Sequence, residues 1–99
     1  MPPALSKTKS SFYRRLYVAH LIERGIASVP ALIEATGMPR RTAQDTIASL
    51  SELDILCEFE RDDGERHNIG RYRIRDWGAI DPRWVANHSM HLKRALGYP

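Results

Sequence analysis

The stretch TGMPRRTAQD, Thr36 to Asp45, concentrates side chains that can read a nucleobase edge. Arg40 and Arg41 each carry a guanidinium able to pair bidentately with guanine N7 and O6, and Gln44 can do the same with adenine. Thr42 can reach a phosphate or a base. Asp45 repels phosphate, unless it accepts from a cytosine amine or pairs with Arg41, four residues earlier. The same residues also suit a plain solvated helix start, since charged side chains ordinarily face water.

Other chemistry is thinner. Lys7, Lys9, Arg14 and Arg15 can supply sequence-independent phosphate contacts, or form a basic tail and a helix start. Around the expected turn at Asp63-Gly64, Arg66 is the best placed cation, yet Asp62, Asp63 and Glu65 beside it would repel DNA. His88 and His91, three apart on a helix, offer two metal ligands, with Cys57 or Asp81 as a third. No Cys-x-x-Cys pair or dense His/Asp cluster accompanies them, so no metal or other cofactor is expected. There is no phosphate-binding glycine loop, no nucleophile elbow and no evident acid/base pair, and an enzyme is not expected.

These groups sit in a chain of 99 residues, 42% hydrophobic and 27% charged, which suits one domain with one modest core. The formal net charge of +3 is divided unevenly. Residues 1–24 and 77–99 are basic, whereas 25–76 lean acidic, which is not a simple basic stripe. No apolar run is long enough to span a bilayer and no signal-like segment opens the chain. The single Cys57 excludes an intrachain disulfide, and a cytoplasmic location is expected.

The elements that would position these residues follow from periodicity and punctuation. Residues 1–10 read as a flexible basic arm. Ser10 or Ser11 caps a first helix ending at Gly25, apolar around so much of its circumference that it must be buried on more than one side. Ile26–Ala27 can add one rung to a sheet. Ser28 caps a second helix with Pro30 in its first turn, and Gly37 ends it. A third helix starts at about Pro39, with Ala43, Ile47, Leu50 and Leu53 as its buried stripe. Cys57, Phe59, Tyr72 and Ile74 alternate with charged residues and predict a hairpin. Glu58 and Glu60 share its outer face with Arg71, Arg73 and Arg75 and can pair across it. Asp81-Pro82 opens a last helix that Gly97 closes.

With that order in hand, residues 11–75 resemble a bacterial winged helix-turn-helix domain. The resemblance is carried by LIEATGMPRRTAQDTIASLSELDIL followed by the hairpin. The tail, DWGAIDPRWVANHSMHLKRALGY, is similar to a small set of bacterial winged-helix proteins with a Trp/His-containing last helix. The resemblance implies a mainly α fold with a small β-hairpin wing, Gly37 as the turn glycine, Met38 as the apolar turn residue, and a recognition helix from Pro39. It further implies sequence-specific binding of double-stranded DNA by a transcriptional regulator. The domain would then occupy 11–76.

The remaining 77–99 would form a dimerisation helix. Trp84, His88, His91 and Ala95 fall on one face of it, with Val85, Leu92 and Leu96 beside them. That surplus apolar surface suits a two-fold homodimer, or equally a helix packed back on its own domain. A protein-docking module without DNA binding is the competing function, supported by the acidic wing and the apolar helices at both ends.

Overall fold

The computed structural model describes residues 5–61 and 70–99. Three helices come first: α1 (Lys7–Glu23), α2 (Val29–Thr36) and α3 (Arg40–Ala48), the last running into a 3₁₀ turn at Ser49–Leu53. The antiparallel strands β1 (Leu56–Arg61) and β2 (Gly70–Asp76) follow, then α4 (Pro82–Asn87) and α5 (Ser89–Leu96).

α1 is the axis of the fold. Every residue from Leu16 through Ile22 is buried, because α3, α4, α5 and β2 all pack around it. The helix begins earlier than its composition suggests. Ser6, not Ser10 or Ser11, is the cap, its Oγ accepting the Lys9 N–H at 3.1 Å. Lys7 to Ser10 therefore belong to a helix rather than to a flexible arm. Polar residues with no apolar period left this first turn without a signal; the cap hydroxyl decides it.

The helix-turn-helix is a set of local satisfactions. Ser28 Oγ caps α2 by accepting from the Ala31 N–H at 3.1 Å, and Pro30 stands in the first turn. At the other end Gly37 takes φ 77°, a left-handed conformation in which its N–H reaches the Ile33 carbonyl at 2.7 Å. The Thr36 hydroxyl donates to the Leu32 carbonyl at 2.7 Å and accepts the Met38 N–H at 3.2 Å. Met38 itself is buried. Pro39 is the N-cap of α3 rather than its first residue.

The strands are paired Cys57 to Ile74, Glu58 to Arg73, Phe59 to Tyr72 and Glu60 to Arg71. One face carries Cys57, Phe59, Tyr72 and Ile74 as expected, but only the base of the hairpin rests on the core. Ile74 is buried and Phe59 is half exposed, edge-on to Tyr72. The Tyr72 N–H donates to the Ala27 carbonyl at 2.8 Å, the single extra rung foreseen at Ile26–Ala27. The turn at Asp63-Gly64 lies outside the described residues.

The last helix is two helices. Asp81 caps α4, accepting the Arg83 N–H at 2.9 Å. At His88 the backbone N–H is shared between the carbonyls of Trp84 (3.0 Å) and Val85 (3.2 Å), a tightened turn that separates α4 from α5. Gly97 closes α5 in the left-handed region. Val85 and Leu92 are completely buried, on the same core as Leu16, Leu32 and Leu50. Burying a side chain of that size stabilises by about 1.5–3 kcal/mol relative to leaving it in water. The apolar stripe of the tail is thus consumed by its own domain. Val85 and Leu92 cannot lie on a surface offered to a second copy.

Candidate nucleic-acid interface

α3 is held from two sides. Ala43, Thr46 and Leu50 face the core, and the Thr46 hydroxyl donates back to the Thr42 carbonyl at 2.7 Å. From the α1 side Arg15 reaches across. Its Nε donates to Ser49 Oγ at 2.8 Å, its Nη1 to Ser11 Oγ at 2.8 Å, and its Nη2 to Glu52 at 3.3 Å. Arg15 was a candidate for phosphate, but its side chain is only 22% exposed and its donors are engaged. It is a strut between α1 and the end of α3. The Ser11-Arg15 spacing was visible in the sequence; the decisive partner, Ser49, lies 34 residues away.

So anchored, α3 turns Arg40, Arg41, Gln44, Asp45 and Ala48 outward, all of them outside the buried core. Thr42 is half-buried on the flank toward α1, where it lines a polar depression of about 280 Å³ with Ser11, Arg14, Arg15, Asp45, Thr46 and Ser49. On the opposite flank, Gln44, Ile47 and Ala48 border a cleft of about 340 Å³ whose far wall is Leu56, Cys57 and Tyr72 at the base of the hairpin. These side chains are brought together as one crest between two recesses.

That crest puts positive charge at a helix start. The first turn of α3 holds two arginines and no acid, and Pro39 gives no side-chain cap. The positive end of a helix dipole disfavours cations and favours anions. Arg41 contacts Asp45, Nε to Oδ2 at 3.7 Å, with both side chains largely in water. No ion pair involves Arg40 among the described residues. The first turn of α1 repeats the pattern, with exposed Lys7 and Lys9 and no acid. Lys9 Nζ stands 5.3 Å from the Tyr13 ring centroid. Arg14 is half-buried, its Nη2 at 3.4 Å from Ser10 Oγ.

On the hairpin, Arg75 pairs with both Glu58 and Glu60, and Arg73 with Glu60. Cross-strand pairing therefore occupies those two arginines, as the alternation implied. Arg71, opposite Glu60, has no acid within ion-pair distance among the described residues. Arg66 lies outside them.

On α4, Trp84 remains 42% exposed and stacks on His88 with ring centroids 4.1 Å apart. His88 Nδ1 donates to the Trp84 carbonyl at 2.7 Å. His91 meets the Tyr13 hydroxyl at 3.4 Å, and Ala95 and Leu96 are packed against the core. Among the described residues no three His, Cys, Asp or Glu side chains converge on a possible metal position. Burial, reinforced by the Glu58 charge, pushes the Cys57 thiol up against an opposing backbone bond, which fits packing rather than nucleophilic attack. Among the described residues no helix is long and apolar enough to cross a membrane.

A family model described as winged helix-turn helix matches residues 7–96. The chain belongs to that family. The winged helix-turn helix assignment spans α1 through α5, so the tail is part of the domain rather than an appendage to it. Among solved structures, the crystal structure of a DUF2131 family protein from Shewanella amazonensis SB2B is 47% identical to this winged helix-turn helix chain, with a TM-score of 0.88. That match covers 95% of this chain and 96% of the other. No curated protein matches.

Proposed function

We propose that this winged helix-turn helix protein binds duplex DNA with α3 in the major groove and acts as a bacterial transcriptional regulator. The observation that carries the reading is the first turn of α3. Two exposed arginines occupy a place where the helix dipole works against them, with no acid in that turn and no side-chain cap to compensate. Solvent keeps the cost of that arrangement small at this exposed turn, and an anionic partner would turn it to advantage. The uncapped N–H groups add donors for a phosphate. Arg40, Arg41 and Gln44 would meet base edges, with Thr42 positioning. Lys7, Lys9 and Arg14, which extend the basic character to the start of α1, would meet phosphate.

The test is a fluorescence anisotropy titration of mixed-sequence duplex over a salt series, with Arg40→Ala/Arg41→Ala alongside. Wild type should bind with a dissociation constant of roughly 10⁻⁴–10⁻⁶ M at physiological salt. The slope of log K against log salt should fall by about 0.9 for each phosphate that the variant no longer neutralises. Absence of binding at low salt would refute the reading. It would turn attention to protein docking, for which half-exposed Leu56 and Phe59 on the hairpin are the supporting feature, Leu56 lining the α3 cleft.

A homodimer would place two α3 helices about one DNA turn apart. Its contacts would centre on Trp84 and His91, the exposed ones of the residues first considered, flanked by half-buried His88, Ala95 and Leu96. Sedimentation at micromolar concentration, with Trp84→Ala as control, tests this: a wild type that stays monomeric removes the dimer.

A further inference from the structure

The Arg41–Asp45 contact has no explanation in folding. Both side chains are largely in water, 92% and 74% exposed, where an ion pair contributes next to nothing. The acid lies C-terminal to the base, the weaker order for an i,i+4 pair on a helix. Aspartate is also a poor residue for a helix interior. Against a polyanion it is worse than neutral. Yet it stands one turn from Arg41 on the same ridge, on the flank of α3 that lines the recess toward α1.

The nearest approach is at Nε of Arg41, 3.7 Å from Asp45 Oδ2, and no other acid pairs with this guanidinium among the described residues, so its two terminal Nη groups can turn toward a base. Those two nitrogens form the fork that pairs end-on with guanine N7 and O6. Weak in water, the contact gains strength once DNA displaces the surrounding solvent, and a carboxylate beside the guanidinium then biases a side chain that otherwise loses much freedom on ordering. It also repels backbone phosphate, which would otherwise compete for the same arginine at every sequence. Arg40, with no such partner among the described residues, is free to serve phosphate.

We infer that Asp45 is the specificity-determining residue of α3: it positions Arg41 as the guanine reader and disfavours DNA that lacks that guanine. The inference rests on the DNA-binding reading above and revises it in one respect, by moving Arg40 from the base edges to the backbone and leaving Arg41 as the reader. Its signature is a pair of changes of opposite sign. Removing the charge strengthens binding to arbitrary DNA and weakens discrimination.

The experiment selects duplexes from a randomised pool with wild type, then measures anisotropy with the selected and the mixed-sequence duplex for wild type, Asp45→Asn, Arg41→Ala and the double variant. Asp45→Asn should bind mixed-sequence duplex severalfold more tightly. Its preference for the selected duplex should fall about fivefold or more, the lower end of what one bidentate contact discriminates. Adding Asp45→Asn to Arg41→Ala should cost no further selectivity, because the two act as one unit. Thermal melting should be unmoved, which separates the effect from loss of fold. Unchanged selectivity in Asp45→Asn, or a reduced preference at a base pair that Arg41→Ala leaves intact, would overturn the inference; in the latter case Asp45 itself reads a cytosine. A wild type that binds duplex without sequence preference would overturn it too, while leaving DNA binding in place. If wild type binds no duplex at low salt, the DNA-binding reading fails and takes the inference with it.

Discussion

α3 and α5 are both short amphipathic helices, and the residues of both suit a surface for a partner. They meet opposite fates. α3 presses Ala43 and Thr46 inward and keeps a charged crest in water. α5 spends Leu92 on the core beneath α1, and the outward residues it retains include Met90. The contrast shows what each kind of residue can promise. A charged crest stays outside whatever the topology, because desolvating it without partners is prohibitive. An apolar stripe is silent about whose core it joins.

That contrast can be broken or sharpened by substitution. The largest effect is expected at Leu92→Ala, which should cost about 2–5 kcal/mol in chemical denaturation, as for other buried leucines. Full stability together with loss of an oligomer would instead make α5 an interface after all. Next comes Arg15→Ala. Removing its bonds to Ser49, Ser11 and Glu52 should destabilise by about 1–2 kcal/mol, less than for a fully buried charge. Because this arginine is a strut, the salt slope of DNA binding should not change. Gly37→Ala should cost roughly 1 kcal/mol, since an L side chain is strained at φ 77° even though no neighbour lies in its way.

A smaller effect should appear with pH. Burial, then the Arg24 charge, hold the His20 imidazole below its ordinary value of 6.5, with Glu23 opposing. The unfolded chain therefore binds that proton more readily than the folded one. Stability is full above about 6.5 and declines as pH falls through that value. Equilibrium unfolding of His20→Phe across that range should show a flatter pH profile than wild type. Least of all, Arg40→Ala/Arg41→Ala should leave the melting temperature within about 2 °C of wild type. Its whole consequence should fall on DNA, and a marked drop in stability would show these arginines to be structural.

Much of the fold was legible. Ser28, Pro30 and Gly37 punctuate α2 by local chemistry alone, and alternation about Cys57, Phe59, Tyr72 and Ile74 announces the hairpin. Local signals erred where two explanations compete for one pattern. Ser10 and Ser11 are as good caps as Ser6, and only the path of the backbone selects between them. The His88 break left no Pro or Gly behind. In the candidate site, the exposure of Arg40, Arg41, Gln44 and Asp45 was readable from the Ala43–Leu50 stripe. Thr36, which ties the turn by both donating and accepting, went unassigned although a Thr before a helix-ending Gly was in view.

By itself, then, the sequence determined the succession of helices, the turn, the hairpin and the charged crest of α3. Each depends on periodicity, capping or solvation acting within a few residues. Tertiary structure alone decided which arginine is a strut and which stands in water, since Ser49 meets Arg15 only when α3 lies against α1. It also decided that Val85 and Leu92 belong to the chain's own core. The physical reason is one and the same: hydrophobic burial is non-directional and contains no address, so a stripe of apolar residues acquires its partner only when the whole chain has closed around it.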